Sequence, residues 1–289
     1  MVRARYPDRE GIVVRDGVEI RYERYGRGRP AILLLPTWSI VPSRHWKMQV
    51  AYLARHFTVA CFDGRGSGGS GRPAEPAAYT DAQFASDAIA VMDAAGIETA
   101  VLVSTSCGTL WALRLGAEHP DRVLGSVFIA PTAPLVPPLA ERRVQRFGEV
   151  LDDPVGWQTY NAHYWKTHYP EFVSFFMGRI FTEPHSTKQV EDAIGWALEI
   201  DGETLAAAHL GLECCDAAAT RRLATRIASP VLVIHGTDDA VRGCAEGEAL
   251  ARCTGGALVT LAGAGHFPHA RDPVRVNLLI KQFADRVGR

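Results

Sequence analysis

Three short segments, far apart in the chain, carry side chains suited to nucleophilic catalysis. In residues 101–109, Ser106 stands between Ser104 and Gly108, where an apolar run changes into a helical pattern. A serine in such a strand-to-helix turn is exposed for attack when the residues two positions before and after it are small. The segment predicts a nucleophile at Ser106, beside a helix N-terminus that favours developing negative charge.

The second segment offers a carboxylate. Residues 231–235 form an apolar run that ends in a Gly-Thr turn, followed by Asp238 and Asp239. A carboxylate in a loop after a strand can orient a catalytic imidazole and stabilise its charge. Both aspartates are candidates; we favour Asp239 and assign Asp238 to a turn or salt bridge.

The third segment offers the imidazole. His266 lies in a glycine-rich loop directly after the apolar run at residues 257–261, and such a loop allows the ring to reach toward a serine. His269 lies in the same loop after Pro268 and is the second choice.

The elements that position these segments alternate between strand-like and helix-like patterns. Asp16 and Gly17, between alternating apolar residues, indicate a β-hairpin near the start. The apolar runs that follow are unbroken by polar residues, which is typical of parallel strands buried on both faces. The sequence therefore predicts an α/β fold with a mostly parallel central sheet flanked by helices. The predicted strands after the hairpin are residues 31–35, 58–62, 100–103, 124–130, 231–235 and 257–261, and the helices between them include residues 82–95 and 109–118.

The alternation stops after Pro131, where four prolines fall close together and only helical patterns follow as far as about Arg226. Ser186, with Gln189 three residues later, predicts a capping box at the start of one such helix. We expect a helical cap inserted after the sixth strand, over the edge where ligands bind. The predicted division is a core at 1–132, the cap at 133–226 and the rest of the core at 227–289.

Taken together, Ser106, Asp239 and His266 follow predicted strands in the order that resembles the α/β-hydrolase superfamily, in its serine-nucleophile, lid-containing branch. The resemblance covers nearly the whole chain. Residues 63–70 look like that family's turn after its fourth strand, residues 119–123 like the end of its nucleophile helix, and residues 265–268 like its histidine loop. It implies that the three residues act as a catalytic triad.

The resemblance also implies an oxyanion hole. One backbone donor would be the amide of Cys107. The family's other donor follows a His-Gly pair after the third strand, but this chain has Pro36 and Thr37 there. The second donor is then the amide of Trp38, or that of Thr37 if the register shifts by one.

A serine nucleophile argues against the dehalogenase and epoxide-hydrolase branches, which proceed through an aspartyl ester. We expect hydrolysis of a small, apolar ester, lactone or thioester through an acyl-serine intermediate. Aromatic residues of the cap, with Trp165 and Phe176 as candidates, would bind substrate together with Trp38. The alternative is that most of these aromatics only pack the cap onto the sheet.

Two other functions stay open at this point. The same triad can serve acyl transfer, elimination or cyclisation in secondary metabolism, and the altered loop at Pro36 is the feature that hints at this. The fold can also act as a ligand-binding protein without catalysis, although the intact triad argues against that role.

Composition excludes other classes of function. With 31 Lys and Arg against 32 Asp and Glu, the chain has no basic excess for nucleic acid. Its apolar runs are too short for a bilayer, and the first ten residues do not resemble a signal peptide. The six cysteines lack CxxC spacing, which is typical of reduced thiols, so we expect a cytoplasmic protein. The partner is a free small molecule, while the oligomeric state is left open.

No metal or organic cofactor is expected. Residues 66–71 fit G-x-G-x-x-G, but prolines follow where a nucleotide-binding loop needs a helix to begin. We expect Cys107 to be a packing residue and not a nucleophile, although it lies at a helix N-terminus. Cys214 and Cys215 are adjacent and point in different directions, which disfavours joint metal ligation.

Overall fold

The structure, a computed structural model, describes residues 5–212 and 216–289. Cys214 and Cys215 lie outside these ranges. Within them, eight strands form a single sheet: β1 (Arg9–Arg15), β2 (Val18–Tyr25), β3 (Ala31–Leu34), β4 (Thr58–Phe62), β5 (Ala100–Ser106), β6 (Val123–Pro131), β7 (Val231–Gly236) and β8 (Ala257–Leu261). Their order across the sheet is β1-β2-β4-β3-β5-β6-β7-β8, with β1 and β2 antiparallel and β3 to β8 parallel.

The central strands are buried on both faces. In β3, Ile32 and Leu34 pack into one hydrophobic cluster and Leu33 into the cluster on the opposite face, as the alternation of side chains along a strand requires. Strands β4 and β8 have the predicted bounds. Strand β5 continues past the predicted end, because Ser104 and Thr105 are small enough to be wholly buried in the sheet despite their hydroxyl groups.

Helices cover both faces of the sheet. The helices of the described residues are α1 (Lys47–Leu53), α2 (Asp81–Ala94), α3 (Gly108–Glu118), α4 (Ala162–Ile180), α5 (Thr187–Ala197), α6 (Gly202–Leu210), α7 (Ala217–Ala224), α8 (Cys244–Thr254), α9 (Pro268–Arg271) and α10 (Pro273–Val287). Helices α1, α9 and α10 pack together on one face, while α2, α3, α7 and α8 pack on the other. The predicted α/β fold class is therefore confirmed. None of these helices is long and apolar enough to cross a membrane.

Helices α4, α5 and α6 lie between β6 and β7 in the chain, and α4 packs against both others. Helix α4 is kinked at His168, because Pro170 cannot complete the regular hydrogen-bond ladder. Helix α7 packs against α3 and α8 of the core, although the predicted cap includes it. The boundaries at 133 and 226 stay predictions.

The predicted capping box at Ser186 is wrong. Helix α5 does begin at Thr187, but no side chain caps it there. The hydroxyl of Ser186 donates to the carbonyl oxygen of Glu183 and accepts from Nε of Arg271. A tertiary contact with Arg271 therefore replaces the local bond that the sequence pattern predicts.

Candidate active site

Three side chains singled out in the sequence lie beyond the carboxyl ends of neighbouring strands. Ser106 ends β5, Asp239 follows β7, and His266 follows β8. Strands β5, β6, β7 and β8 are consecutive and parallel in the sheet, about 4.8 Å apart, so their ends share one edge. The topology thus brings the serine, carboxylate and imidazole to the same part of the molecule.

Ser106 has a left-handed backbone with a φ of 50°. This conformation costs a residue with a side chain about 1–3 kcal/mol and is held only where the surroundings impose it. Close packing around the turn does so here: a Cβ added at Gly108 would lie 2.5 Å from the carbonyl oxygen of Pro36. Glycine at 108 therefore lets the first turn of α3 touch the loop after β3.

The carboxylate of Asp239 is hydrogen-bonded to His266. Oδ2 lies 2.8 Å from Nδ1 of the imidazole, and Oδ1 accepts from the amides of Val241 and Arg242, each at 2.8 Å. Burial alone would raise the pKa of Asp239, but the charge of His266 and the hydrogen bonds from His235 and His266 outweigh it. The pKa of Asp239 is held well below its usual range, so the carboxylate stays ionised.

Asp238 is placed differently. Its side chain is exposed and accepts from the hydroxyl of Thr237 at 2.8 Å. Of the two candidate carboxylates, the structure therefore sets Asp239 against the imidazole and leaves Asp238 in a turn.

His235, which sequence reasoning missed, also contacts Asp239. Its Nε2 lies 3.0 Å from Oδ2 of Asp239 and 3.0 Å from the carbonyl oxygen of Arg242. Both neighbours are acceptors, so Nε2 carries the proton and donates it. His235 is wholly buried at the end of β7, and a histidine inside an otherwise apolar strand was the available signal.

Ser106 and His266 are not joined by a hydrogen bond in the described chain. Oγ of Ser106 lies 3.4 Å from the hydroxyl of Thr132, and Nε2 of His266 is buried without a partner among the described residues. Catalytic hydrogen bonds are often long until substrate is bound. Thr132 was also missed from the sequence; it directly follows β6, the strand next to β5.

His269, the second-choice histidine, lies elsewhere. It is wholly buried in α9, and its Nε2 is 3.2 Å from Nδ1 of His45. Its ring therefore pairs with another histidine and not with Asp239.

The loop after β3 holds the two residues that are alternatives for the second oxyanion donor. Thr37 and Trp38 are buried there, next to the contact between Pro36 and Gly108. Cys107 is the N-cap of α3 on the other side of that contact. The structure thus brings the loop and the turn at Ser106 together.

The ring of Trp38 joins the core to the cap. It stacks on Tyr160 at 5.5 Å and contacts Trp165 at 5.8 Å and Phe176 at 5.6 Å between ring centres. The three residues predicted to bind substrate therefore form one aromatic cluster, and Tyr160 is an addition to it. The hydroxyl of Tyr160 lies 3.0 Å from Nδ1 of His209.

His209 is neutral at pH 7. Burial, together with the positive charges of Arg142 and Arg242, lowers its pKa to about 4. The apolar cluster at Trp38 thus meets a polar but uncharged pair, Tyr160 and His209.

The chain that leaves α4 is bonded directly to the histidine loop. The carbonyl oxygen of Ile180 accepts from the amide of His266 at 2.9 Å, and the carboxylate of Glu183 accepts from the amide of Gly265 at 2.8 Å. The hydroxyl of Thr182 donates to the carbonyl oxygen of Asp238 at 3.0 Å. Residues 180–183, which we call the cap-exit segment, therefore support the loops of both Asp239 and His266.

Within the described ranges, no three histidine, cysteine or acidic side chains are grouped so that they could hold a metal ion. Ser106, His266 and Asp239 bring a hydroxyl, an imidazole and a carboxylate to the same strand ends. Such a set can pass a proton from serine to histidine while the carboxylate stabilises the resulting charge.

Comparisons with known proteins identify the family to which this fold belongs. A family model described as the alpha/beta hydrolase fold matches residues 30–273. The 3-oxoadipate enol-lactonase 2 of Acinetobacter baylyi is 28% identical over 275 residues, which is 93% of this chain and 94% of that protein.

Solved structures give the same result. The enol-lactonase of Burkholderia xenovorans LB400 superposes with a TM-score of 0.78 at 25% identity, over 94% of this chain and 99% of that one. Est816, described as an N-acyl homoserine lactone degrading enzyme, shares the fold with a TM-score of 0.77 at 24% identity, over 94% of this chain and 100% of its own. The chain therefore belongs to the α/β-hydrolase fold family, and it is an α/β-hydrolase enzyme.

Proposed function

We propose that this enzyme hydrolyses a small ester or lactone in the cytoplasm, through an acyl-serine intermediate formed on Ser106. The observation that carries the proposal is the 2.8 Å hydrogen bond between Asp239 and His266, at the same sheet edge as the left-handed Ser106. The names of the relatives support the substrate class, since two of them are enol-lactonases.

In the proposed mechanism, Oγ of Ser106 attacks the carbonyl carbon while its proton passes to Nε2 of His266. The tetrahedral intermediate then collapses, and the leaving oxygen takes that proton as the ester bond breaks. Water next attacks the acyl-serine, giving a proton to His266, which returns it to Oγ of Ser106. Asp239 holds the imidazole through Nδ1 and stabilises its charged form.

The amides of Cys107 and Trp38, or of Thr37 in place of Trp38, are the proposed donors to the oxyanion. Each such donor contributes about 3–4 kcal/mol to transition-state binding in hydrolases where it has been removed. The cluster of Trp38, Trp165 and Phe176 would bind the apolar body of the substrate, and a thioester fits the same scheme.

The test is labelling with a fluorophosphonate, a reagent that phosphonylates activated serines. We expect one adduct, mapped by peptide mass to Ser106, that is absent in Ser106→Ala and strongly reduced in His266→Ala. A screen of p-nitrophenyl esters and of γ- and δ-lactones should then show turnover. A folded protein that takes no label and turns over neither class would contradict the proposal and favour a ligand-binding role.

A further inference from the structure

Arg142 is a buried arginine that forms no ion pair with another described residue. It lies in the short helical turn Ala140–Val144, and only 9% of its surface is exposed. Nη1 donates to the carbonyl oxygen of Val241 at 2.7 Å, while the buried Nε has no partner among the described residues. A buried guanidinium normally pairs with an anion, because removing its charge from water is costly.

No carboxylate of the described residues forms an ion pair with Arg142. Glu246, the acidic residue in electrostatic range, is shared: Oε1 lies 3.5 Å from Nη1 of Arg242, and Oε2 accepts from the amide of Ala133 at 2.9 Å. Both carboxylate oxygens of Glu246 therefore already have partners other than Arg142. Burial, reinforced by Arg242, lowers the pKa of Arg142 to about 10, so the guanidinium is still protonated at pH 7.

Arg142 also faces the site proposed above. Its guanidinium carbon lies 4.9 Å from the ring centre of Trp157 and 5.9 Å from that of Tyr160, which stacks on Trp38. Val241, its hydrogen-bond acceptor, is two residues after Asp239. Cys107, next to Ser106, is within electrostatic range of it. The charge thus lies between the aromatic cluster and the strand ends.

We propose that Arg142 binds a carboxylate of the substrate, so that the enzyme acts on an ester or lactone carrying a second, ionised carboxyl group. Arginine matches a carboxylate with paired hydrogen bonds, and a bound carboxylate would supply the ion pair that Arg142 lacks among the described residues. The inference rests on the proposed function for the reaction, but the recognition of the anion can be tested separately.

The experiment compares two esters that differ in one charge, p-nitrophenyl hydrogen glutarate and its methyl ester, at pH 7.5. Wild-type enzyme should have the higher kcat/KM for the acidic ester. In Arg142→Met the ratio of kcat/KM, acidic over neutral, should fall at least tenfold, mainly through KM, and Arg142→Lys should recover part of it. Arg146→Met is the matched control: Arg146 is exposed in the same segment, and its loss should leave the ratio as in wild type.

An unchanged ratio in Arg142→Met, or a wild-type preference for the neutral ester, would overturn the proposal. A binding measurement avoids dependence on the stability of that variant. Glutarate should inhibit hydrolysis of the neutral ester by wild-type enzyme far more strongly than dimethyl glutarate does, and equal inhibition by the two would also overturn it. Fluorophosphonate labelling distinguishes a failure of the proposed mechanism from a failure of the Arg142 proposal. An enzyme without label at Ser106 contradicts the hydrolase mechanism. A labelled enzyme that does not prefer the acidic ester contradicts the Arg142 site alone.

Discussion

The left-handed backbone at Ser106 is the residue-scale feature on which the proposed chemistry depends. The packing of α3 against the loop after β3, where Gly108 meets Pro36, offsets the conformational free energy of this backbone. The left-handed turn places the hydroxyl beyond the strand end, beside the start of α3.

Ser106→Ala should abolish turnover while preserving the fold. The hydrogen bond of the hydroxyl among the described residues is a long one, 3.4 Å to Thr132, so little stability depends on it. We expect kcat to fall by at least about a thousandfold, as when the nucleophile of other serine hydrolases is removed. Activity on the best ester, with circular dichroism as the fold check, measures this. Ser174→Ala, at an exposed serine of α4, is the control, and turnover retained by Ser106→Ala would refute the assignment.

Asp239→Asn should be far more damaging than Asp238→Asn. Asp239 accepts from His266 and from two backbone amides, whereas Asp238 is exposed. An amide at 239 disturbs the imidazole tautomer, for which a loss of about ten-thousandfold in kcat is known elsewhere. Steady-state kinetics of the two variants decides the matter, and the reverse ranking would show that the wrong acid was chosen.

Residue type and chain order were enough to select Ser106, Asp239 and His266 as candidates, because each follows an apolar run long enough to be recognised as a strand. Thr132 and Arg142 could not be predicted. Thr132 lies near Ser106 only because β6 is next to β5 in the sheet, and local sequence does not determine strand order. Arg142 matters because no carboxylate of the described chain pairs with it, which is a property of the packed molecule.

At the scale of elements, a second cluster of buried polar side chains connects α1, α9 and α10. His45, in the short helical turn before α1, pairs with His269 of α9. Nε2 of Gln49 donates to the carbonyl oxygen of His269 at 2.8 Å and to Oδ1 of Asn277 at 3.1 Å. Burial lowers the pKa of His45 to about 3, and burial also lowers the pKa of His269 well below its usual value.

These two histidines should make the protein acid-sensitive. Both are neutral in the folded state but take up protons in the unfolded chain below about pH 6.5. Their contribution to stability is therefore fully present above that pH and is lost progressively as the pH falls toward 3. For His45 alone, the free energy of unfolding should drop by about 2 kcal/mol between pH 7 and pH 5.

The measurement is denaturant unfolding of wild type and His45→Gln at both pH values. The variant should lose about 2 kcal/mol less than wild type on acidification. His56→Gln, at an exposed histidine just after α1, should behave like wild type. If wild type and His45→Gln lost equal free energy of unfolding between pH 7 and pH 5, the explanation would be contradicted.

Element bounds were predictable where a largely apolar run spans the whole strand, as in the buried β4 and the edge strand β8. They were not predictable where small polar residues are buried, as at Ser104 and Thr105, or where a distant residue replaces a local cap, as Arg271 does at Ser186. In both cases tertiary packing overrides the local pattern.

At the scale of the whole molecule, Trp38 links the two parts of the fold. It belongs to a core loop, yet its ring packs among Tyr160, Trp165 and Phe176, all from the insertion between β6 and β7. Truncating it removes this contact and leaves a cavity at the junction.

Trp38→Ala should therefore lower the free energy of unfolding by about 3–5 kcal/mol. Trp196→Ala is the matched control: Trp196 is half-buried on α5 and packs under the ammonium group of Lys47. Its loss should cost less than half as much. Urea unfolding of the two variants tests the difference, and equal destabilisation would mean that Trp38 is not the principal junction.

The cap-exit segment, residues 180–183, bears on how this enzyme can be re-engineered. Since the amides of His266 and Gly265 are bound by Ile180 and Glu183, exchanging the insertion for that of another family member would also replace the supports of the acid–base loop. A chimera that crosses over before Ile180 and restores the native chain from there keeps those bonds. Exchanging only cap residues before Ile180 would then change the specificity and keep the supports of the histidine loop. An exchange that includes residues 180–183 would change the specificity and the reactivity together.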